Sequence, residues 1–233
     1  MIVISIADIP IGIENRHKFI VALSKDYLTD SEPVFTVSAS DEDIAREREM
    51  SDDEFSDGYL ESIVVFRKIA ERLPEFDAVV FHGAVLSMGG KAYAFTAKSG
   101  VGKTTHTRLW ISEFYDSVHY INGDKPVIRL IDGVPYAFGT PWRGKEGYGR
   151  RESAPLSAIA LLERAESNSA VAVPYGEGTV RLMKQIYIPK NPVCASLAMR
   201  VADKILTAVR LIELKCNMDK EAAHVAYRVM IEK

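Results

Sequence analysis

The chain has 233 residues, 47% of them hydrophobic and 26% charged, with a formal net charge of -3. This fits one globular domain, or a domain with a small appendage, with enough length for a sizeable core. It excludes a strongly basic nucleic-acid binder, and no apolar run approaches the roughly 20 residues of a membrane-spanning helix.

The N-terminus, Met1 to Asp8, is apolar without a basic leader and reads as a strand rather than a signal peptide. Residues 1–39 read as short strands, Val34–Ser38 being the clearest through its alternation and β-branched side chains. Ser40 to Asp57 carries nine acidic and two basic residues and reads as a solvated surface segment. Tyr59 to Leu73 has helical periodicity, with Ile63, Phe66, Ile69, Ala70 and Leu73 on one face and Pro74 at its end. Ala78–Phe81 is a short strand of buried type, followed by His82-Gly83. A hairpin is predicted from Ala84–Met88, Gly89-Gly90 and Lys91–Thr96. Thr104–Phe114 reads as a helix, and Ser117–Ile121 as a strand ending at Asn122-Gly123-Asp124. Pro126 to Ile188 reads mostly as short strands and turns, including a hairpin around Asp132-Gly133. In Leu161 to Asn168, Glu163 and Asn168 read as surface residues of a helix or turn. Val193–Leu214 and a last segment with Ala222, Val225, Ala226, Val229 and Met230 read as amphipathic helices. Cys194 and Cys216 match no metal-ligand spacing and suit buried thiols in helices of a cytoplasmic protein. The simplest organisation is an α/β unit: residues 1–75 form N-terminal strands, the acidic segment and a helix, packed on a core of residues 76–233.

The most informative stretch is Ala97-Lys98-Ser99-Gly100-Val101-Gly102-Lys103-Thr104-Thr105, between a predicted strand and a predicted helix. Glycines let successive N–H groups turn inward, and the positive end of the helix adds to their attraction for phosphate. Lys103 supplies a full charge, and the Thr104 hydroxyl suits Mg²⁺. Alanine at 97 stands where the phosphate-loop pattern has glycine, and fits if its φ is negative. Asp124, at the end of the next strand, is a candidate metal ligand or base. His82 lies 21 residues before Lys103, at another strand end. Phe138 to Gly147 reads as a loop in which Arg143 and Lys145 suit an anionic group and Trp142 suits stacking on a base or substrate side chain. His106 reads as structural, and Arg150-Arg151 as a solvated pair.

His82-Gly83-Ala84-Val85, Phe95 to Thr104 and Ile121 to Asp124, in this order and spacing, resemble the HPr kinase/phosphorylase family and its relative, ATP-dependent phosphoenolpyruvate carboxykinase. The segment 138–147 resembles small kinase-like members of the same group. The resemblance covers residues 81–125, about a fifth of the chain. It implies a mixed-sheet P-loop fold, with ATP and Mg²⁺ or Mn²⁺ as cofactors. It places His82 and Asp124 near the metal and the transferred phosphoryl group, with Asp124 as base on an acceptor hydroxyl. Lys125 replaces the second aspartate of the family pair, and the arginine-and-glycine signature of true HPr kinases is missing downstream. The expectation is therefore an ATP-dependent kinase acting on a hydroxyl of a small molecule, an amino acid such as serine, or a peptide or protein. The alternative is a nucleotide-binding regulatory module without transfer, and the length argues against a full carboxykinase. No nucleic-acid or membrane partner is expected, and a homo-oligomer is compatible with the sequence.

Overall fold

Isoleucines at alternate positions build the first sheet. Ile2–Ile6 (β1) and Ile9–Glu14 (β2) pair antiparallel, and Ile4, Ile6, Ile9, Ile11 and Ile13 are all buried. The two residues between them, Ala7 and Asp8, have φ of 51° and 58°. Positive φ at both positions is the turn that matches strand twist in a tight hairpin. The chain then forms a short helix, Lys18–Leu23 (α1), which the sequence reading missed, and Phe35–Ser38 (β3), parallel to β2. The structure, a computed structural model, describes residues 1–50, 53–98 and 100–231.

The acidic run is helical from Asp41 to Glu49 (α2). Ser40 and Asp43 cap it reciprocally, each side chain accepting the other's backbone N–H at 3.2 Å. Asp57–Arg72 (α3) is capped by Ser56 and lies against α2. Lys68 pairs with Asp43 at 2.5 Å and Arg67 with Glu47 at 2.6 Å, so part of this charge fastens α2 to α3 rather than facing water alone. Such pairs contribute about 0.2–1 kcal/mol each. The apolar face of α3 is wider than the periodicity implies: Leu60, Val64 and Val65 are buried with Phe66, Ile69 and Ala70. Glu61 is buried as well, accepting the backbone N–H groups of Arg16 at 2.6 Å and His17 at 3.0 Å. A buried carboxylate survives because both bonds are made.

A larger mixed sheet follows. Its strands are Ala78–Val80 (β4), Ala84–Met88 (β5), Lys91–Thr96 (β6), Val118–Asn122 (β7), Val127–Ile131 (β8), Val134–Phe138 (β9), Ser153–Arg164 (β10), Ser169–Ala172 (β11) and Arg210–Cys216 (β12). The spatial order is β4-β8-β9-β10-β6-β5-β7, with β12 beside β10 and β11 beyond it. Both predicted hairpins, β5–β6 and β8–β9, are present. The helices are Lys103–Phe114 (α4), Tyr175–Met183 (α5), Pro192–Ala208 (α6) and Glu221–Ile231 (α7). Among the described residues, no helix is long and apolar enough to cross a membrane.

Three expectations fail here. The helix expected over 193–214 stops at Ala208. Residues 210–216 are β12, paired in parallel with β10, so Cys216 lies in a strand and Cys194 in a helix. Periodicity alone does not separate a buried strand from the end of a buried helix. Residues 126–188 are mostly strands and turns, and the helix among them, α5, is what the sequence reading missed. Glu163 belongs to β10, where it meets Arg181 at 2.9 Å, and the Asn168 side chain accepts the Asn217 N–H at 3.0 Å. Twelve-residue β10 reads as several short pieces because its ends serve different partners: Ser153–Pro155 pair with β9, and the rest lies between β6 and β12.

Candidate functional site

β6 runs parallel to β10, with Thr96 beside Leu161. Beyond that pair the glycine loop leaves the sheet and α4 begins. Gly102 stands at the N-cap of α4 with φ of 121° and no side-chain cap, and no acidic residue sits in the first turn. The first N–H groups of α4 are therefore available to an anion. Gly100 has φ of 78°, and nothing lies within 4 Å of where a Cβ would stand at either glycine. Conformation rather than space requires glycine there. Ala97 does not have positive φ, which removes the difficulty of a side chain at that position. Ser99 lies outside the described residues. Lys98 and Thr105 are exposed, while Val101 and Thr104 are half-buried.

Arg164, at the end of β10, reaches this loop and borders the cleft beside it. Its Nε donates to the Val101 carbonyl at 2.8 Å and its Nη2 to the Gly100 carbonyl at 2.5 Å. Sequence reasoning missed this clamp. Its basis is the parallel pairing of β10 with β6, across more than 60 residues of chain.

A second strand end presents Asp124. The fully buried Asn122 organises the turn: its Oδ1 accepts the N–H groups of Asp124 and Lys125, both at 2.8 Å. Its Nδ2 faces the Thr140 carbonyl at 3.2 Å, the Thr140 hydroxyl at 3.1 Å and the Trp142 carbonyl at 3.3 Å. One side chain thus joins β7 to the loop after β9. Gly144, with φ of 74°, lies so close that a Cβ there would stand 2.9 Å from Asp124 Cβ.

The Asp124 carboxylate is the meeting point of the predicted residues. Its Oδ1 lies 3.7 Å from Lys103 Nζ and 3.7 Å from His82 Nε2, and its Oδ2 lies 3.3 Å from Lys125 Nζ. Burial pushes the pKa of Lys103 down, assisted by Lys125 and opposed by Asp124. Burial also pushes His82 down, followed by the charges of Lys103 and Lys125, with Asp124 opposing. The neutral imidazole is thereby favoured. The His82 backbone is fixed on both sides, its N–H donating to the Gln185 carbonyl at 2.7 Å and its carbonyl accepting from the Thr96 hydroxyl at 2.8 Å.

These groups face a cleft of about 980 Å³, whose walls include Ala97, Lys98, Gly100, Gly102, Lys103, Thr104, Thr105, His82, Trp142, Arg143 and Lys145. The last three do not act alike. Trp142 is half-buried, its ring 4.5 Å from Phe66 and its Nε1 donating to the Ser62 carbonyl at 3.2 Å, so it anchors the loop while one edge faces the cleft. Arg143 is held from behind by Asp26 at 3.1 Å and stands 5.7 Å from the Tyr27 ring centroid, with its Nε buried and unpaired. Lys145 is exposed on the rim. Arg151, expected in solvent, donates to the carbonyls of Asp26 and Leu28 at 3.4 and 3.5 Å.

Further wall residues escaped the sequence. Tyr120 and Tyr148 stack with centroids 4.7 Å apart, and Arg108 donates to Tyr148 Oη at 3.1 Å and Glu146 at 2.8 Å. Phe19, Phe55 and Tyr59 line the end formed by the N-terminal part of the chain. Nothing local marks them, because they come from separate elements. His106, by contrast, belongs to the core: it is 2% exposed, its Nε2 accepts from Trp110 Nε1 at 3.1 Å, and burial depresses its pKa to about 4.

Among the described residues no group of three or more His, Cys, Asp and Glu side chains could hold a metal ion. A divalent cation here would have to share ligands with a bound anion, as Mg²⁺ does with phosphates. The uncapped helix start, the glycine conformations and the sequestered Lys103 fit a phosphate chain, with the Thr104 hydroxyl and Asp124 left to meet the cation.

No family model matches the chain, and no curated protein matches it. Among solved structures it is similar to the Hpr(Ser) kinase/phosphatase from Coxiella burnetii, at 7% sequence identity and a TM-score of 0.39, over 64% of this chain and 94% of that one. The likeness is distant.

Proposed function

We propose that the protein is an ATP-dependent phosphotransferase that moves the γ-phosphoryl group to a hydroxyl acceptor. The observation that carries this reading is the convergence of Lys103, from the loop, and His82, from another strand end, on one oxygen of Asp124, each at 3.7 Å. At these separations both side chains pair with a single carboxylate oxygen, which gathers at one point the groups that phosphoryl transfer uses.

In this reading the loop N–H groups and Lys103 bind the β- and γ-phosphates. Thr104 and Asp124 would hold Mg²⁺ together with the phosphates, and the ion would supply charge neutralisation there. The Asp124 carboxylate orients the acceptor hydroxyl and takes its proton. The new bond joins the acceptor oxygen to the γ-phosphorus, the bond from that phosphorus to the β–γ bridging oxygen breaks, and ADP leaves. Neutral His82 accepts or donates a hydrogen bond beside the carboxylate. Lys125 adds positive charge where the phosphoryl oxygens carry negative charge. Arg143 and Lys145 bind an anionic part of the acceptor.

Phosphorus NMR with Mg·ATP and a pool of amino acids, sugars and small peptides tests the reading. A new phosphomonoester signal that Asp124→Asn lacks is the expected result. One observation favours a second reading, a nucleotide-dependent binding module: Lys125 already pairs with Oδ2 of Asp124 at 3.3 Å. Intact ATP, or hydrolysis that the pool and a protein extract leave unchanged, favours that module.

A further inference from the structure

The cleft has two unlike ends. One is the cationic end around Lys103, Lys125 and His82. The other, built by the N-terminal part of the chain, is aromatic. Phe55 lies 4.6 Å from Tyr59 and Phe19 lies 5.8 Å from it, centroid to centroid. Phe19 remains 40% exposed and Phe55 38% exposed, although both border the cleft. Large aromatic rings left in solvent at the wall of a cavity are unfavourable unless something covers them in use.

We propose that this trio is an acceptor subsite: the phosphorylated hydroxyl belongs to a molecule that also carries an apolar or aromatic group, which packs on Phe19, Phe55 and Tyr59. The inference rests on the phosphotransferase reading and names its substrate class. Connectivity assigns the trio to the acceptor rather than to the nucleobase. Tyr59 and Ser62 share α3, and Ser62 holds Trp142 through its carbonyl. Two residues beyond Trp142, Gly144 abuts Asp124. The aromatic wall is thus continuous with the loop at the proposed base. The nucleotide, with its phosphates on the start of α4, has the flank of Thr107, Tyr120 and Tyr148 beside it instead. An acceptor lacking an apolar group, such as free serine, leaves the trio wet and binds poorly.

The test uses two probes, N-acetyl-Phe-Ser and N-acetyl-Gly-Ser, titrated by ligand-observed NMR with and without Mg·AMP-PNP. Binding of AMP-PNP itself is measured separately by calorimetry. N-acetyl-Phe-Ser is expected to bind at least tenfold more tightly. Phe55→Ala and Phe19→Ala should each erase most of that preference, with AMP-PNP affinity within twofold and the thermal unfolding midpoint near that of the parent. Equal binding of the two probes overturns the subsite. So does a tenfold loss of AMP-PNP affinity in the variants, which would assign the trio to the nucleobase. Failure of the parent to bind AMP-PNP overturns the phosphotransferase reading instead, and the probe titrations without nucleotide still decide whether the aromatic end selects apolar ligands.

Discussion

Two loops border the cleft, and they are made differently. The loop from Ala97 to Thr105 is mostly local: β6, two left-handed glycines and the start of α4 shape it, with Arg164 of β10 bonded to its Gly100 and Val101 carbonyls. The loop from Gly139 to Gly149 has no regular structure and is held in place from elsewhere. Asn122 holds it at Thr140 and Trp142, α3 receives Trp142, and Asp26 receives Arg143. The comparison teaches that the glycine loop is shaped mainly by a short motif, while the second loop is held by distant parts of the chain.

The largest expected effect separates chemistry from binding. Asp124→Asn should lower phosphoryl transfer about 1000-fold, roughly 4 kcal/mol, the middle of the range for loss of a general base. AMP-PNP affinity should stay within a few fold, because the cradle is intact. Near-parental transfer in this variant would remove Asp124 from its role.

The next effect bears on the core behind the first loop. His106 is folded with a pKa near 4, below the ordinary value of 6.5, so the unfolded chain binds a proton first as pH falls. Its contribution to stability is complete above pH 6.5 and is lost as pH falls toward 4, for a total of about 3 kcal/mol. Urea unfolding of the parent and of His106→Leu at pH 7 and at pH 4.5 checks this. The parent should lose more stability than the variant over that interval, and equal losses would refute the assignment.

Asn122→Ala attacks the second loop. It strands two half-buried N–H groups, those of Asp124 and Lys125, and the acceptors around Thr140, at a cost of about 2–3 kcal/mol. The unfolding midpoint should fall and transfer should drop with it, while AMP-PNP affinity at a temperature where the variant is folded changes less than tenfold. A larger loss of nucleotide binding would mean that the two loops are not separable.

Lys103→Ala is the converse and the smallest of the four. Removing one charged donor should weaken AMP-PNP binding about 30-fold, roughly 2 kcal/mol, without shifting the unfolding midpoint downward. Half-burial of a cation whose pKa burial already depresses makes its removal mild for the fold.

Much of the site was legible because its chemistry is carried by short motifs at strand ends. Lys103 was named from the glycine-loop motif, Asp124 from its place at the next strand end and His82 from the family resemblance, and the structure brings them together. Arg143 and Trp142 were named as free to meet a ligand, yet both are substantially committed to packing and pairing with the N-terminal part of the chain. Arg164 was not singled out, because nothing near it in sequence shows that β10 ends beside the glycine loop.

What the sequence by itself determined is the local grammar: the two hairpins, the helix after the glycine loop, the turn at Asn122 and the conformational need for glycine at positions 100 and 102. Tertiary structure alone decided the rest. It made residues 210–216 a strand by offering them the edge of β10, turned Arg164 into a clamp, and closed the cleft with aromatic residues from α1 and α3. The physical reason is range. Backbone conformation and capping act within a few residues, whereas strand partners and cavity walls are selected by the shared burial of segments far apart in the chain.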